Sequence, residues 1–106
     1  MATITVDTRL VPVKQYVAPV TGATVAVNTD GYINLLINPA GTLATLTITV
    51  PASPTDGDRV RIGATQIVTA LTMNGGTIVG ALVSLAVGGF ATYVYNSDSV
   101  KWLRVG

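Results

Sequence analysis

Residues 43–50 read Leu43-Ala44-Thr45-Leu46-Thr47-Ile48-Thr49-Val50, the cleanest two-residue period in the chain. Leu46, Ile48 and Val50 fall on one side and Thr45, Thr47 and Thr49 on the other, the pattern of a strand with one face in a core and the other in solvent. From Thr45 to Val50 there is no charge, Gly or Pro. A strand of that kind pairs with any free edge it meets, so it needs a neighbour on both sides or a cover. Pro51 and Pro54 end it.

Working outward, the flanks repeat the same grammar at shorter length. Residues 24–27 are short and rich in β-branched side chains, and Asn28-Thr29-Asp30-Gly31 is a turn in which Gly supplies a positive φ. Residues 32–37 form the next strand, and Asn38-Pro39-Ala40-Gly41 turns it. After the prolines, Asp56-Gly57-Asp58 leads into a strand at 59–62, with Arg59 and Arg61 pointing away from Val60 and Ile62. Residues 90–95 place Tyr93 and Tyr95 on one face, Asn96-Ser97-Asp98-Ser99 turns the chain, and 100–105 closes it with Val100, Trp102 and Arg104 on one side.

Residues 62–97 contain no Asp, Glu, Lys or Arg across 36 positions. Gly63, Gly76 and Gly89 fall 13 apart within that stretch, which reads as hairpin spacing rather than a solenoid repeat, since the residues between them match poorly. Asn74-Gly75-Gly76 is the strongest hairpin signal, joining 70–73 to 77–79. Residues 81–87 are bracketed too closely by Gly80 and Gly88 to hold a stable helix. Roughly nine to eleven short strands at turn spacing imply an all-β fold, expected as an antiparallel β-sandwich or small barrel.

The first 20 residues differ from the rest. Thr3-Ile4-Thr5-Val6 alternates, but Pro12 and Pro19 follow without a Gly, so residues 1–20 read as an extended N-terminal arm or edge strand ahead of an all-β domain at 21–106. Two readings stand side by side: an unpaired or edge-packed terminus, and an arm reaching onto a neighbour through Ile4, Arg9, Leu10, Lys14 and Tyr16.

Composition narrows the function. Charged residues make up 10% of the chain, against roughly 25% in a usual soluble domain, while 16 residues are Thr and mean hydropathy is +0.57. A surface of Thr, Asn, Ser and Gly explains part of this, and an interface explains the rest. A net charge of +1 with no basic run gives no footprint for nucleic acid. There is no Cys, and the N-terminus lacks the basic-then-apolar order of a secretory leader. The apolar run at 78–91 is 14 residues long, short of the roughly 20 a membrane helix needs, so no membrane role is expected.

Nor does the chain carry the residues of catalysis. His and Glu are absent, and four of the five Asp residues sit in Gly, Asn or Ser turns, where Asp serves the backbone. Asp56 and Asp58, with Asp30 as a third ligand, supply too few oxygens for calcium. A Ser nucleophile has no base, and Gly75-Gly76 lacks the Lys and Ser/Thr of a phosphate loop. No enzyme, cofactor or metal is expected. The aromatics Tyr32, Phe90, Tyr93, Tyr95 and Trp102 admit a carbohydrate-stacking platform, but core filling by Phe90 and Trp102 is the preferred reading.

The layout of Gly41-Thr42-Leu43-Ala44-Thr45-Leu46-Thr47-Ile48, the Pro51-to-Gly57 break, Thr72-Met73-Asn74-Gly75-Gly76-Thr77-Ile78-Val79-Gly80, the run Phe90 to Tyr95 and the closing Val100-Lys101-Trp102-Leu103-Arg104-Val105 resembles small β-rich virion proteins of tailed bacteriophages. These include capsid decoration (cement) proteins, head fibres and tail-fibre modules. The resemblance spans about residues 40–106 and rests on Thr/Gly/Asn-rich, low-charge style and the closing Trp-x-Arg. It implies a homotrimer without catalysis, located on the virion and attached to the major capsid protein or another virion protein. The arm lies outside it.

The expectation is therefore a homotrimeric decoration protein on the capsid surface. Leu46, Ile48, Val50, Ile78, Val79, Leu82, Leu85, Phe90 and Trp102 are assigned to core or subunit interface. The alternative is a receptor-binding module of a tail fibre or spike that recognises host glycans through Tyr32, Tyr93 or Tyr95. Read as a whole protein, 106 residues is small for a fibre, which favours decoration.

Overall fold

The computed structural model describes residues 11–29 and 31–106. Among these it is all-β: β1 (Val13–Val17), β2 (Ala23–Ala26), β3 (Tyr32–Ile37), β4 (Leu43–Thr49), β5 (Arg59–Ala64), β6 (Val68–Asn74), β7 (Ile78–Val79), β8 (Phe90–Asn96) and β9 (Lys101–Arg104). No helix forms among the described residues. The strands make two sheets, a larger one ordered β1-β3-β5-β8-β9-β7 and a smaller one ordered β2-β4-β6.

The expected antiparallel sandwich or barrel is not what forms. β1, β3 and β5 pair in parallel, as do β2, β4 and β6, so the chain climbs as coils of a short β-solenoid, each coil laying one strand on each sheet. Partners lie 20 to 27 residues apart, as with Val13 beside Ile33, Ala23 beside Leu46, Leu43 beside Val68 and Tyr32 beside Arg59. The coils differ in length because the connections after β2 and β4 differ, and this irregularity hid the repeat. The 13-residue glycine spacing corresponds to no structural period. Gly63 is inside β5, Gly76 in a crossover and Gly89 just before β8.

The space between the sheets is filled by aliphatic side chains at alternate positions. Ile33, Leu35 and Ile37 of β3, Val60 and Ile62 of β5, and Leu46 and Ile48 of β4 with the following Val50 are all buried. β4 lies in the middle of its sheet, paired on both edges, as its uncharged sequence requires. Its period breaks once: Leu43 and Leu46 both point inward with two exposed residues between them, and Val68 and Leu71 repeat this directly alongside in β6. The bend is held by the Thr21 hydroxyl, which accepts from the backbone N–H of Ala44 (3.0 Å) and Thr45 (3.1 Å).

After β6 the parallel climb stops. Asn74-Gly75-Gly76 does not make the expected hairpin: β6 belongs to the smaller sheet, whereas β7 lies at the edge of the larger one, parallel to β9. Gly75 has φ +102°, and a Cβ there would sit 2.6 Å from the Val50 carbonyl oxygen. The turn packs against the end of β4, and only glycine fits. From Ile78 onward the chain closes the stack. β8 runs antiparallel beside β5, and β9 returns antiparallel to β8 through a turn at 97–100, one residue later than the expected 96–99. The edge of β6 is covered by residues 83–85, with Val68 and Leu85 exchanging backbone hydrogen bonds (2.9 and 3.0 Å) and Leu71 N–H donating to Val83 (2.9 Å).

Candidate interaction surfaces

The alternation that fills the core also decides what lies outside. In the closing segment, Leu82 and Leu85 turn inward, whereas Val79, Val83 and Val87 remain exposed, Val83 at 74%. Ile78 is half-buried against the core. The run assigned to core or subunit contact thus divides into residues used within the chain and residues left exposed.

The aromatics divide too. Trp102 is buried, its ring tilted 59° to that of Tyr95 at 5.4 Å between centroids. Tyr93 is also buried and its hydroxyl donates to the Gly80 carbonyl oxygen at 2.8 Å. Burial pushes the Tyr93 phenol above its ordinary value near 10, with the Arg104 guanidinium and a backbone hydrogen bond from Leu82 pulling against it. It therefore stays a protonated donor at neutral pH. Tyr93 is too buried for the stacking platform the glycan alternative assigned to it, and Tyr32 and Tyr95 are half-buried.

Phe90 departs from its expected place in the core: it is 53% exposed. In register with Gly63 on β5, it stands on the outer face of the larger sheet. That face carries one continuous row, Tyr16 beside Leu36, Leu36 beside Gly63 and Gly63 beside Phe90. Gly63 has no side chain, so the row dips between Leu36 and Phe90, leaving a groove of about 560 Å³. A neighbouring row runs Lys14, Asn34, Arg61 and Thr92. Arg61 lies over the Phe90 ring, 5.3 Å from its centroid.

Along the groove's rim Asn38 Nδ2 donates to the Tyr16 hydroxyl oxygen (2.8 Å) and Thr65 Oγ1 donates to Asn38 Oδ1 (2.7 Å). Asn34 Oδ1 is buried with no partner among the described residues. The sequence pointed at Tyr16 as an arm residue, but nothing local links it to Phe90 across two intervening strands.

Lys14 and Tyr16 are exposed on β1, an edge strand of the larger sheet, while Ile4, Arg9 and Leu10 lie outside the described residues. Asp56 Oδ1 accepts from the Ser97 N–H (2.8 Å) and Asp58 Oδ2 from the Thr55 N–H (2.9 Å), the backbone service expected of turn carboxylates. Asp30, the third ligand weighed for calcium, is outside the described residues, and no group of three or more metal-binding side chains gathers among those described. No described helix is long and apolar enough to cross a membrane. No protein-family model matches the chain, and comparison with curated proteins finds no relative.

Proposed function

We propose that the chain is a virion structural protein, a homotrimeric capsid decoration protein without catalytic activity that binds and stabilises a phage head. The observation that carries this reading is the set of exposed valines in the closing segment, Val79, Val83 and Val87, inside a 36-residue stretch with no charged side chain. Apolar side chains left free beside so few charges suit burial by sister copies, and an obligate interface of a few thousand Å² accounts for the low charge density. The arm residues Ile4, Arg9, Leu10, Lys14 and Tyr16 then contact the capsid protein or a neighbour.

Light scattering during size-exclusion chromatography tests the assembly. Three times the 10.9 kDa chain mass is expected, and a monomer at micromolar concentration overturns it. Density or antibody label on the head of purified particles tests the location.

A second reading, a receptor-binding module of a tail fibre or spike that recognises host glycans, is favoured by one observation: two aromatic side chains, Tyr16 and Phe90, exposed in a single row on the outer face. The two readings compete for Tyr16.

A further inference from the structure

We propose that the groove on the outer face of the larger sheet, between Tyr16 and Phe90, binds an acidic oligosaccharide. The inference rests on the second reading, that the chain recognises glycans, and adds both the site and the class of sugar.

The first argument is Gly63. Glycine inside a strand costs roughly 0.5–1 kcal/mol against alanine, and it commonly marks a bulge or a close approach by another backbone or a ligand. Here neither structural reason holds. Gly63 is not among the positive-φ glycines, it keeps register with Leu36 on one side and Phe90 on the other, and a Cβ would meet only the Gly89 carbonyl oxygen at an ordinary 4.0 Å. A methyl side chain would fit the fold and narrow the groove. What the glycine preserves is the space.

The second argument is the chemistry around that space. A sugar presents an apolar C–H face and a rim of hydroxyls, and recognition needs a ring for the first and fixed polar groups for the second. The groove has Tyr16 and Phe90 at its two sides. The Tyr16 hydroxyl oxygen accepts from Asn38, which leaves its own proton free to donate. Asn34 lines the groove, but its Oδ1 is buried and without a partner among the described residues, so the amide must turn outward to take a sugar hydroxyl.

The third argument is charge. Arg61 lines the groove, and Lys14 flanks Asn34 on the opposite side in the same cross-strand row. The described carboxylates Asp56, Asp58 and Asp98 belong to the turns before β5 and after β8 and are not part of the lining. Two cations on either side of an unpaired acceptor suit a saccharide carrying a carboxylate. Arg61, already oriented over Phe90, supplies the planar donor pair that such a group takes.

The test is a printed array of sialylated, uronic-acid-containing and neutral oligosaccharides, followed by calorimetric titration with the strongest acidic ligand found. Wild-type protein is expected to retain acidic chains. Gly63→Val is expected to weaken binding by at least about tenfold with an unchanged or higher melting temperature, since valine favours strands and its Cβ meets only the Gly89 carbonyl oxygen at 4.0 Å. Arg61→Gln is expected to cut affinity for acidic chains by about tenfold and leave neutral ones unaffected. If Gly63→Val fails to fold, Phe90→Ala, at an exposed position, replaces it. Retention of no oligosaccharide overturns both the site and the glycan reading. Binding that survives both Gly63→Val and Phe90→Ala overturns this site while leaving glycan recognition standing elsewhere. Equal retention of neutral and acidic chains, unchanged by Arg61→Gln, overturns the acidic class.

Discussion

The coils that span β1 to β6 and the segment that closes them solve the same problem by different means. The coils are parallel, aliphatic and repetitive: Ile33, Leu35, Leu46, Ile48, Val60 and Ile62 stack in register between two sheets. The closing segment is antiparallel where β8 meets β5 and β9, and it brings the buried aromatics, Tyr93 and Trp102. A stack of parallel coils always ends in free strand edges, and such edges recruit other chains. Residues 83–85 cover β6 and β8 covers β5, so one end of the stack is shut. At the other end, β1 and β2 are the outermost strands among the described residues. There the middle inward position of β1, between Val13 and Val17, holds Gln15, whose Nε2 donates to the Ala26 carbonyl (2.8 Å) and whose Oε1 accepts from the Asn28 N–H (2.9 Å). One end is closed by aromatic packing and the other is spanned by a polar side chain.

That contrast breaks most sharply at Trp102. Trp102→Ala is expected to cost about 3–5 kcal/mol, read by chemical denaturation, because it empties the largest buried side chain and leaves the Tyr95 ring without its partner. If closing segment and coils form one cooperative unit, tryptophan fluorescence and far-UV circular dichroism of the wild type follow a single transition. A fluorescence transition at lower denaturant would mean that the segment detaches first.

Gly75→Ala comes next, with an expected loss of more than about 2 kcal/mol, since it sets a Cβ against the Val50 carbonyl oxygen in a left-handed conformation. Tyr93→Phe is smaller, about 1–2 kcal/mol, as it removes one hydrogen bond and strands the Gly80 carbonyl.

The smallest effect has the opposite sign. Val100, in the turn between β8 and β9, has φ +55°, which a β-branched residue adopts only under strain. Val100→Gly is expected to raise the stability by about 1 kcal/mol in the same denaturation assay. Failure to stabilise would show that the valine makes compensating contacts.

The raised Tyr93 phenol adds a pH signature. Its stabilisation is fully present below the unfolded value near 10 and is lost as pH rises through the higher folded value, because only the unfolded chain has released the proton in that window. Melting temperature against pH is expected to fall above about 10, and the fall is expected to be shallower in Tyr93→Phe.

Much of this architecture was legible in single strands. Residues 32–37 and 59–62 fall inside strands, 90–95 form one, and Leu46, Ile48 and Val50 face inward as their alternation required. A two-residue period is a local property of the chain, fixed by which side chains leave water, and it survives any choice of neighbour. The groove was not legible. Tyr16, Leu36, Gly63 and Phe90 are spread over 75 residues and meet only because four strands happen to lie in one register. Phe90 looked like core because aromatics usually are, yet its outward place was decided by pairing with Gly63 rather than with Ile62.

The sequence by itself therefore determined that the chain is all-β, where most strands and turns fall and which face of each strand is apolar. Only the tertiary structure decided parallel against antiparallel, coil against hairpin, and which outward residues share a surface. Alternation encodes a strand's two faces but not its partner, and partner choice is an energy shared among segments 20 or more residues apart, invisible in any one of them.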